Sequence, residues 1–288
     1  MIPIQLRQWV KRHPITSFFS LTYFLSWGIW LPLIVGYKGI LSNALFLAGI
    51  FGPALAAGIL TQQSRRSIVR WLRGILRWRI SIRWYFIALG FPILLIGTVS
   101  LLFALLGYPA NFWLLLDRGS DYLSELIFVA FLGGGQEEFG WRGFALPHLQ
   151  RRYSPVISTL ILGIFWSFWH LPIVMVNPEF QHGLAIADFL PVIFITFYQV
   201  IGYAFCLTWL FNRTQSVLLT ILLHASFNTA NQQLVPLPLE QMQGSNYQVL
   251  SVIMTLVLTI VVIALITSTK GKLGYKAQAK SAETRAKV

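Results

Sequence analysis

The chain is predicted to be an all-α polytopic membrane protein, a bundle of about eight transmembrane helices with a basic amphipathic interfacial helix. Three observations predict it. Hydrophobic residues make up 56% of the 288 residues and charged residues only 11%, with a mean hydropathy of +0.66; a soluble domain carries about 25% charge. The apolar residues fall in runs of about 20, the length that crosses a bilayer. The cations behind the net charge of +13 lie between those runs, where they orient helices in a membrane. In a soluble chain that charge would point to nucleic acid; here the expected surroundings are the lipid bilayer, with no nucleic acid. Cys206 is the only cysteine, stands in an apolar run and can form no intrachain disulfide.

Residues 1–16 are read as a cytoplasmic N-terminal segment carrying Arg7, Lys11 and Arg12. The first apolar run, 17–37, exceeds the ~7–15-residue core of a cleaved signal peptide and lacks a small-residue cleavage site, so it is a retained span. The second covers 40–60, with a kink expected at Gly52-Pro53. In 64–83, Arg66, Arg70, Arg73 and Arg77 recur at helical spacing while Ile68, Leu72, Ile75 and Leu76 populate other faces. That is the pattern of a basic helix lying on an anionic lipid surface. Further spans are expected at 84–106, 123–145, 156–176, 189–211, 216–232 and 249–267. The transmembrane domain is thus 17–267, followed by a basic cytoplasmic tail, 268–288, that reads as disordered.

Charge supports the count. With the N-terminus inside, eight spans place the basic linker, Arg151, Arg152, Arg213 and the Lys-rich tail together on the cytoplasmic side. Only Lys38 and Arg118 fall outside, with Asp117, Asp121, Glu179, Asp188 and Glu240. The expected location is the cell membrane, with both termini cytoplasmic. No internal repeat is evident, which weakens an inverted-repeat transporter reading.

The span at 123–145 carries Glu137, Glu138 and Arg142, although a central charge costs at least ~2.5–3.5 kcal/mol on insertion scales. Glu138 and Arg142 are four apart and can pair on one helix face, which leaves Glu137 without a partner in this segment. Helical rise puts Glu137 ~13 Å, His224 ~12 Å and His170 ~20 Å from the cytoplasmic end. Asn228 shares a face with His224, and Trp166 shares one with His170. Taken singly, each has a bland explanation: a membrane histidine or asparagine also serves as interhelical glue, the aromatic cluster around Trp166 as packing, and Gly133-Gly134-Gly135 as a place of close helix approach. The shared depth argues for a common task.

A carboxylate and an imidazole can deprotonate a water held between them, while a second imidazole and an amide can donate to an oxyanion. Those are the parts of a hydrolase that uses water directly. No Gly-x-Ser-x-Gly elbow is present. The same Glu137, His170 and His224 could instead hold zinc, although the chain has no His-Glu-x-x-His arrangement.

These residues resemble the CPBP family of intramembrane proteases, also called the Abi or CAAX-protease family. Its Glu-Glu-x-x-x-Arg segment is matched by Glu137, Glu138 and Arg142, and its His-x-x-x-Asn motif by His224 and Asn228. Its Phe-x-x-x-His motif is matched with Trp166 in place of the Phe, before His170. The resemblance covers about 124–231, within a core placed at about 122–233. It implies hydrolysis of a peptide bond in a membrane-associated peptide or protein. Glu137 and His170 would activate the water, His224 and Asn228 would stabilise the oxyanion, and Glu138, Arg142 and Trp166 would support them. It leaves open a zinc-dependent variant and a glutamate-activated one, of which the glutamate reading is preferred, and the family also contains bacteriocin-immunity proteins. A non-enzymatic immunity or scaffold protein is therefore the alternative, and a proton-coupled transporter a more distant one. Substrate identity and oligomeric state leave no mark in the sequence.

Overall fold

A computed structural model describes residues 4–63, 68–176, 186–238, 241 and 244–276, and among these every regular element is helical, with no β-strand. Proline and glycine decide where several helices begin and break. Ile4–Arg12 (α1) stops at His13, and Pro14 opens Pro14–Ile34 (α2), a position where its missing N–H goes unmissed. Ser42–Ile50 (α3) and Gly52–Gln63 (α4) meet at a 45° bend beside Gly52-Pro53, the kink the sequence predicts. After Ile68–Ile75 (α5) come Arg83–Leu105 (α6), Leu114–Gly119 (α7) and Tyr122–Phe131 (α8). Short helical segments follow: Gly135–Glu137, Glu138–Gly140 (α9), the wide-turn π segment Trp141–Ala145, and Leu146–Leu149 (α10). Pro155–Trp169 (α11), Leu171–Met175 (α12), Ile186–Thr214 (α13), Val217–Gln233 (α14) and Ser245–Ser268 (α15) complete the set.

Five helical stretches are long and apolar enough to cross a membrane, Pro14–Ile34, Arg83–Leu105, Pro155–Met175, Leu190–Thr214 and Ser245–Ser268, and the bent α3–α4 pair makes a sixth. These are the helices of an integral membrane protein. Their outward faces agree: Phe86 and Leu94 are each 72% exposed and Ile260 68%, surface that lipid accepts and water would not. Helix α14 packs on α6 and α8, α13 lies between α11 and α15, and α2 holds the α3–α4 pair. The largest side chains in the interior are Trp30, Trp141 and Trp169.

The structure departs from the sequence reading in four places. The segment 123–145 is not one continuous helix: α8 ends at Phe131, and the chain turns through Gly134 at φ +136°. Only glycine adopts that conformation without strain. Segment 216–232 is helical, but α14 has only 17 residues and carries His224, Asn228 and further polar groups, so it is shorter and more polar than the five long apolar helices. The basic helix expected over 64–83 is helical only over Ile68–Ile75 among the described residues. It is held by protein as well as by any lipid, because Ile75 is buried and Trp71 Nε1 donates to Gly143 O at 3.2 Å. Finally, the start of the tail is ordered. Leu273 is fully buried and its carbonyl accepts from Asn212 Nδ2 at 3.1 Å, whereas 277–288 lie outside the described residues.

Candidate active site

The turn that ends α8 is built by its neighbours. Gln136 Oε1 accepts from Gly134 N at 3.1 Å, Gln136 Nε2 donates to Leu132 O at 3.1 Å, and Glu137 N donates to Gly134 O at 3.0 Å. One side chain thus clamps both sides of the break, and Glu137 begins the next helical turn facing inward. At Gly135 an added Cβ would lie 2.7 Å from Ala130 O and 3.0 Å from Ile221 Cγ2. The glycines therefore both break the helix and let α14 approach.

Glu137 is 4% exposed, and one of its oxygens is fully engaged: Oε2 accepts from Trp166 Nε1 at 2.8 Å and from Trp141 Nε1 at 3.1 Å. The partner missing from the sequence reading is thus a pair of indoles. The other oxygen faces Gly134. A Cβ built on Gly134 would lie 3.4 Å from Glu137 Oε1, 3.3 Å from His224 Nε2 and 3.2 Å from Asn228 Nδ2. Three polar atoms from two segments surround one small space, at distances close to hydrogen bonds to any group seated there.

Behind them, Glu138 Oε1 accepts from an Arg142 guanidinium nitrogen at 2.8 Å and from His224 Nδ1 at 3.0 Å. Glu138 and Arg142 are fully buried, and the guanidinium lies 4.7 Å from the centre of the Trp166 ring. The i,i+4 pairing expected from sequence is present, and it also orients His224. Because a carboxylate accepts, His224 Nδ1 carries a proton, and Nε2 is left to face the Gly134 space.

His170 stands one layer away. Its Nδ1 donates to Trp166 O at 2.8 Å, since a carbonyl can only accept, which leaves Nε2 as the free nitrogen. Its ring lies 5.6 Å from that of Trp166, which lies 5.4 Å from that of His224. The structure thus gathers Glu137, His224 and Asn228 at one point and joins His170 to them through Trp166, with no direct hydrogen bond between His170 and Glu137. His170 and Asn228 are only half-buried, so this side of the cluster is its open one.

A metal fits this arrangement poorly. No group of three or more His, Cys, Asp or Glu among the described residues is placed to hold one. Within the set Glu137, His170 and His224, Glu137 Oε2 is already occupied by two N–H donors and His224 Nδ1 by Glu138.

Sequence reasoning missed Trp141 and Gln136. Trp141 is four residues after Glu137, the same-face spacing of a helix, which is the signal that could have found it. Gln136 left no comparable signal, because its role appears only once the chain turns at Gly134. Trp166, read chiefly as packing, is a hydrogen-bond donor to the buried acid and supplies the carbonyl that holds His170.

Residues 119–230 match the family model of the Rce1-like type II CAAX prenyl endopeptidases. Over 230 aligned residues the chain is 28% identical to a protein of Methanococcus maripaludis described as CAAX prenyl protease 2, an alignment covering 76% of this chain and 82% of that protein.

Proposed function

The chain belongs to the Rce1-like type II CAAX prenyl endopeptidase family, a family of proteases, and from that premise we propose that it is an intramembrane endopeptidase working on a membrane-associated protein. The convergence of Glu137 Oε1, His224 Nε2 and Asn228 Nδ2 on the Gly134 space supports this reading most strongly. A prenylated CAAX C-terminus, the substrate class in the relative's name, is the first candidate substrate.

In the mechanism, a water enters from the half-open side and is held by Glu137 Oε1 with His170 Nε2 as second acceptor. Glu137 takes a proton as the water oxygen attacks the scissile carbonyl carbon. The carbonyl oxygen becomes negative and receives hydrogen bonds from Asn228 Nδ2 and from His224 Nε2–H. With Nδ1 already donating to Glu138, His224 supplies that second donor as the imidazolium, whose charge the Glu138 carboxylate stabilises. Glu137 then returns the proton to the departing amine, the C–N bond breaks, and acid and amine products leave. Arg142 pairs with Glu138 and holds it against His224, and Trp141 with Trp166 fixes the Glu137 carboxylate so that Oε1, not Oε2, faces the substrate. No step runs through a metal.

For topology we assign eight traversals in the cell membrane with both termini cytoplasmic, counting the bent α3–α4 pair, the broken α8–α10 segment and α14 alongside the five long helices. The domain limits follow as 1–16, 17–267 and 268–288, with the catalytic core at about 122–233 and the basic helix at Ile68–Ile75. The test of function is reconstitution into liposomes with a panel of membrane peptides, prenylated and not, beside Glu137→Ala. Cleavage by the wild type alone supports the assignment. Equal cleavage by both proteins would remove Glu137 from the chemistry and overturn the assignment, and cleavage by neither across the panel would leave the partner-binding immunity or scaffold reading in its place.

A further inference from the structure

Two cavities on one flank of the bundle share no lining residue with the cluster around Glu137. The larger, about 810 Å³, is polar and lies where α6 begins and α13 ends. Arg83, Arg151, Arg213 and Lys276 line it, and among the described residues no Asp or Glu does. The ordered start of the tail forms part of its wall: Asn212 holds Leu273 O, and Gly274, at φ +72°, leaves room where a Cβ would meet Arg213 Cδ at 2.9 Å. Two lining amides are incomplete. Gln150 is 8% exposed, and among the described residues its Nε2 finds no acceptor and Asn212 Oδ1 finds no donor.

The unpaired buried donor favours a bound acceptor, and Arg83, Arg213 and Lys276, each exposed at the cavity, favour an anion there. The second cavity identifies what kind of anion. It is an apolar slot of about 450 Å³ between α6, α13 and α15, lined by Phe86, Gly90, Leu94, Trp209, Val261 and Leu265 among others, and open on the side where Phe86 and Leu94 face lipid. Trp84, which lines the polar cavity, meets Trp209, which lines the slot, with ring centres 5.6 Å apart in an edge-to-face contact. The same helices thus carry a cationic chamber at the level of their ends and, one tryptophan pair deeper, a hydrocarbon slot.

We propose that this flank binds one anionic phospholipid, its phosphate among Arg83, Arg213, Lys276 and Gln150 Nε2, and one acyl chain in the slot below the Trp84–Trp209 pair. Basic pockets between transmembrane helices take such headgroups. A headgroup that also carries a hydroxyl, as in phosphatidylglycerol, supplies the donor that Asn212 Oδ1 lacks.

The test uses the full purified chain in mixed micelles, with lipid retention read by native mass spectrometry and the thermal midpoint read in parallel. Phosphatidylglycerol is expected to be retained and to raise the midpoint, while phosphatidylcholine and inorganic phosphate do neither. Arg213→Gln with Lys276→Gln is expected to weaken retention about 30-fold, from roughly 1 kcal/mol for each charge near a headgroup. Gly90→Leu acts on the other half of the site. A Cβ there meets nothing within 4 Å, so the variant fills the slot without a clash at the backbone, and it should shorten lipid retention even if the charge variant folds poorly. Equal retention of phosphatidylcholine, full stabilisation by phosphate alone, displacement of the lipid by a farnesylated peptide, or unaltered retention in both variants would overturn the proposal.

Discussion

Replacing the two tryptophans that hold Glu137 isolates the most specific feature of the site. Trp166→Phe and Trp141→Phe each keep an aromatic ring but remove an N–H that Glu137 Oε2 accepts, at 2.8 Å and 3.1 Å. A hydrogen bond to a charged group contributes about 1.5–3 kcal/mol, so each single variant should lose stability of that order. The double variant leaves a carboxylate oxygen with no donor in a side chain only 4% exposed. It should therefore lose more than the sum of the singles, by a coupling of about 0.5–3 kcal/mol. Trp169→Phe provides the control, because Trp169 is fully buried and its Nε1 has no partner among the described residues; its cost measures the smaller ring alone and is subtracted. Stability is read by equilibrium unfolding in mixed detergent. Cleavage is read on the same preparations and should fall about 100-fold in the double variant, the scale of a ~1 Å misplacement of a reacting group. A double variant as stable as the Trp169→Phe control and fully active would refute the reasoning that these indoles aim the carboxylate.

Further expectations follow from other contacts. Asn228→Ala should lower kcat by about 10²–10³ with little change in KM, as the loss of one oxyanion donor does, and steady-state kinetics on a cleaved peptide reads both constants. Arg142→Met strands the buried Glu138 and should destabilise by about 3–5 kcal/mol in an unfolding titration, with the double variant Arg142→Met and Glu138→Gln recovering part of that loss. Gly134→Ala forces an L-residue toward φ +136° at a cost of about 1–3 kcal/mol and puts a methyl group among Glu137, His224 and Asn228; it should abolish cleavage, as single-turnover assays will detect.

Much of this was legible in the residues. In lipid the backbone must satisfy itself, so apolar runs become helices, and α2, α6, α11, α13 and α15 lie where those runs fall. The spacing of Glu138 and Arg142 and of His224 and Asn228 carried the site for the same reason: four residues apart on a helix means one face. What stayed hidden depends on tertiary structure. A glycine triplet reads equally as a helix-packing surface or a helix end, and Gly133-Gly134-Gly135 proved to be both. Hydropathy counts an indole as apolar, so it could not show that Trp141 and Trp166 spend their N–H groups on one buried acid. The basic segment around Arg73 carried the pattern of a lipid-facing helix, and nothing in that pattern could tell that Trp71 would bond to Gly143 O and Ile75 would be buried. The tail looked solvated because its lysines outnumber Leu273, the residue that seats it.

The most direct measurement is the single-turnover cleavage rate of Glu137→Gln, which keeps the shape of the side chain and its contact with the indoles while removing the base. A fall of about 10²–10⁴-fold, the range for a general base, with an unfolding midpoint close to wild type, is the expected result. Cleavage at the wild-type rate by a well-folded Glu137→Gln would contradict the claim that this carboxylate activates the water.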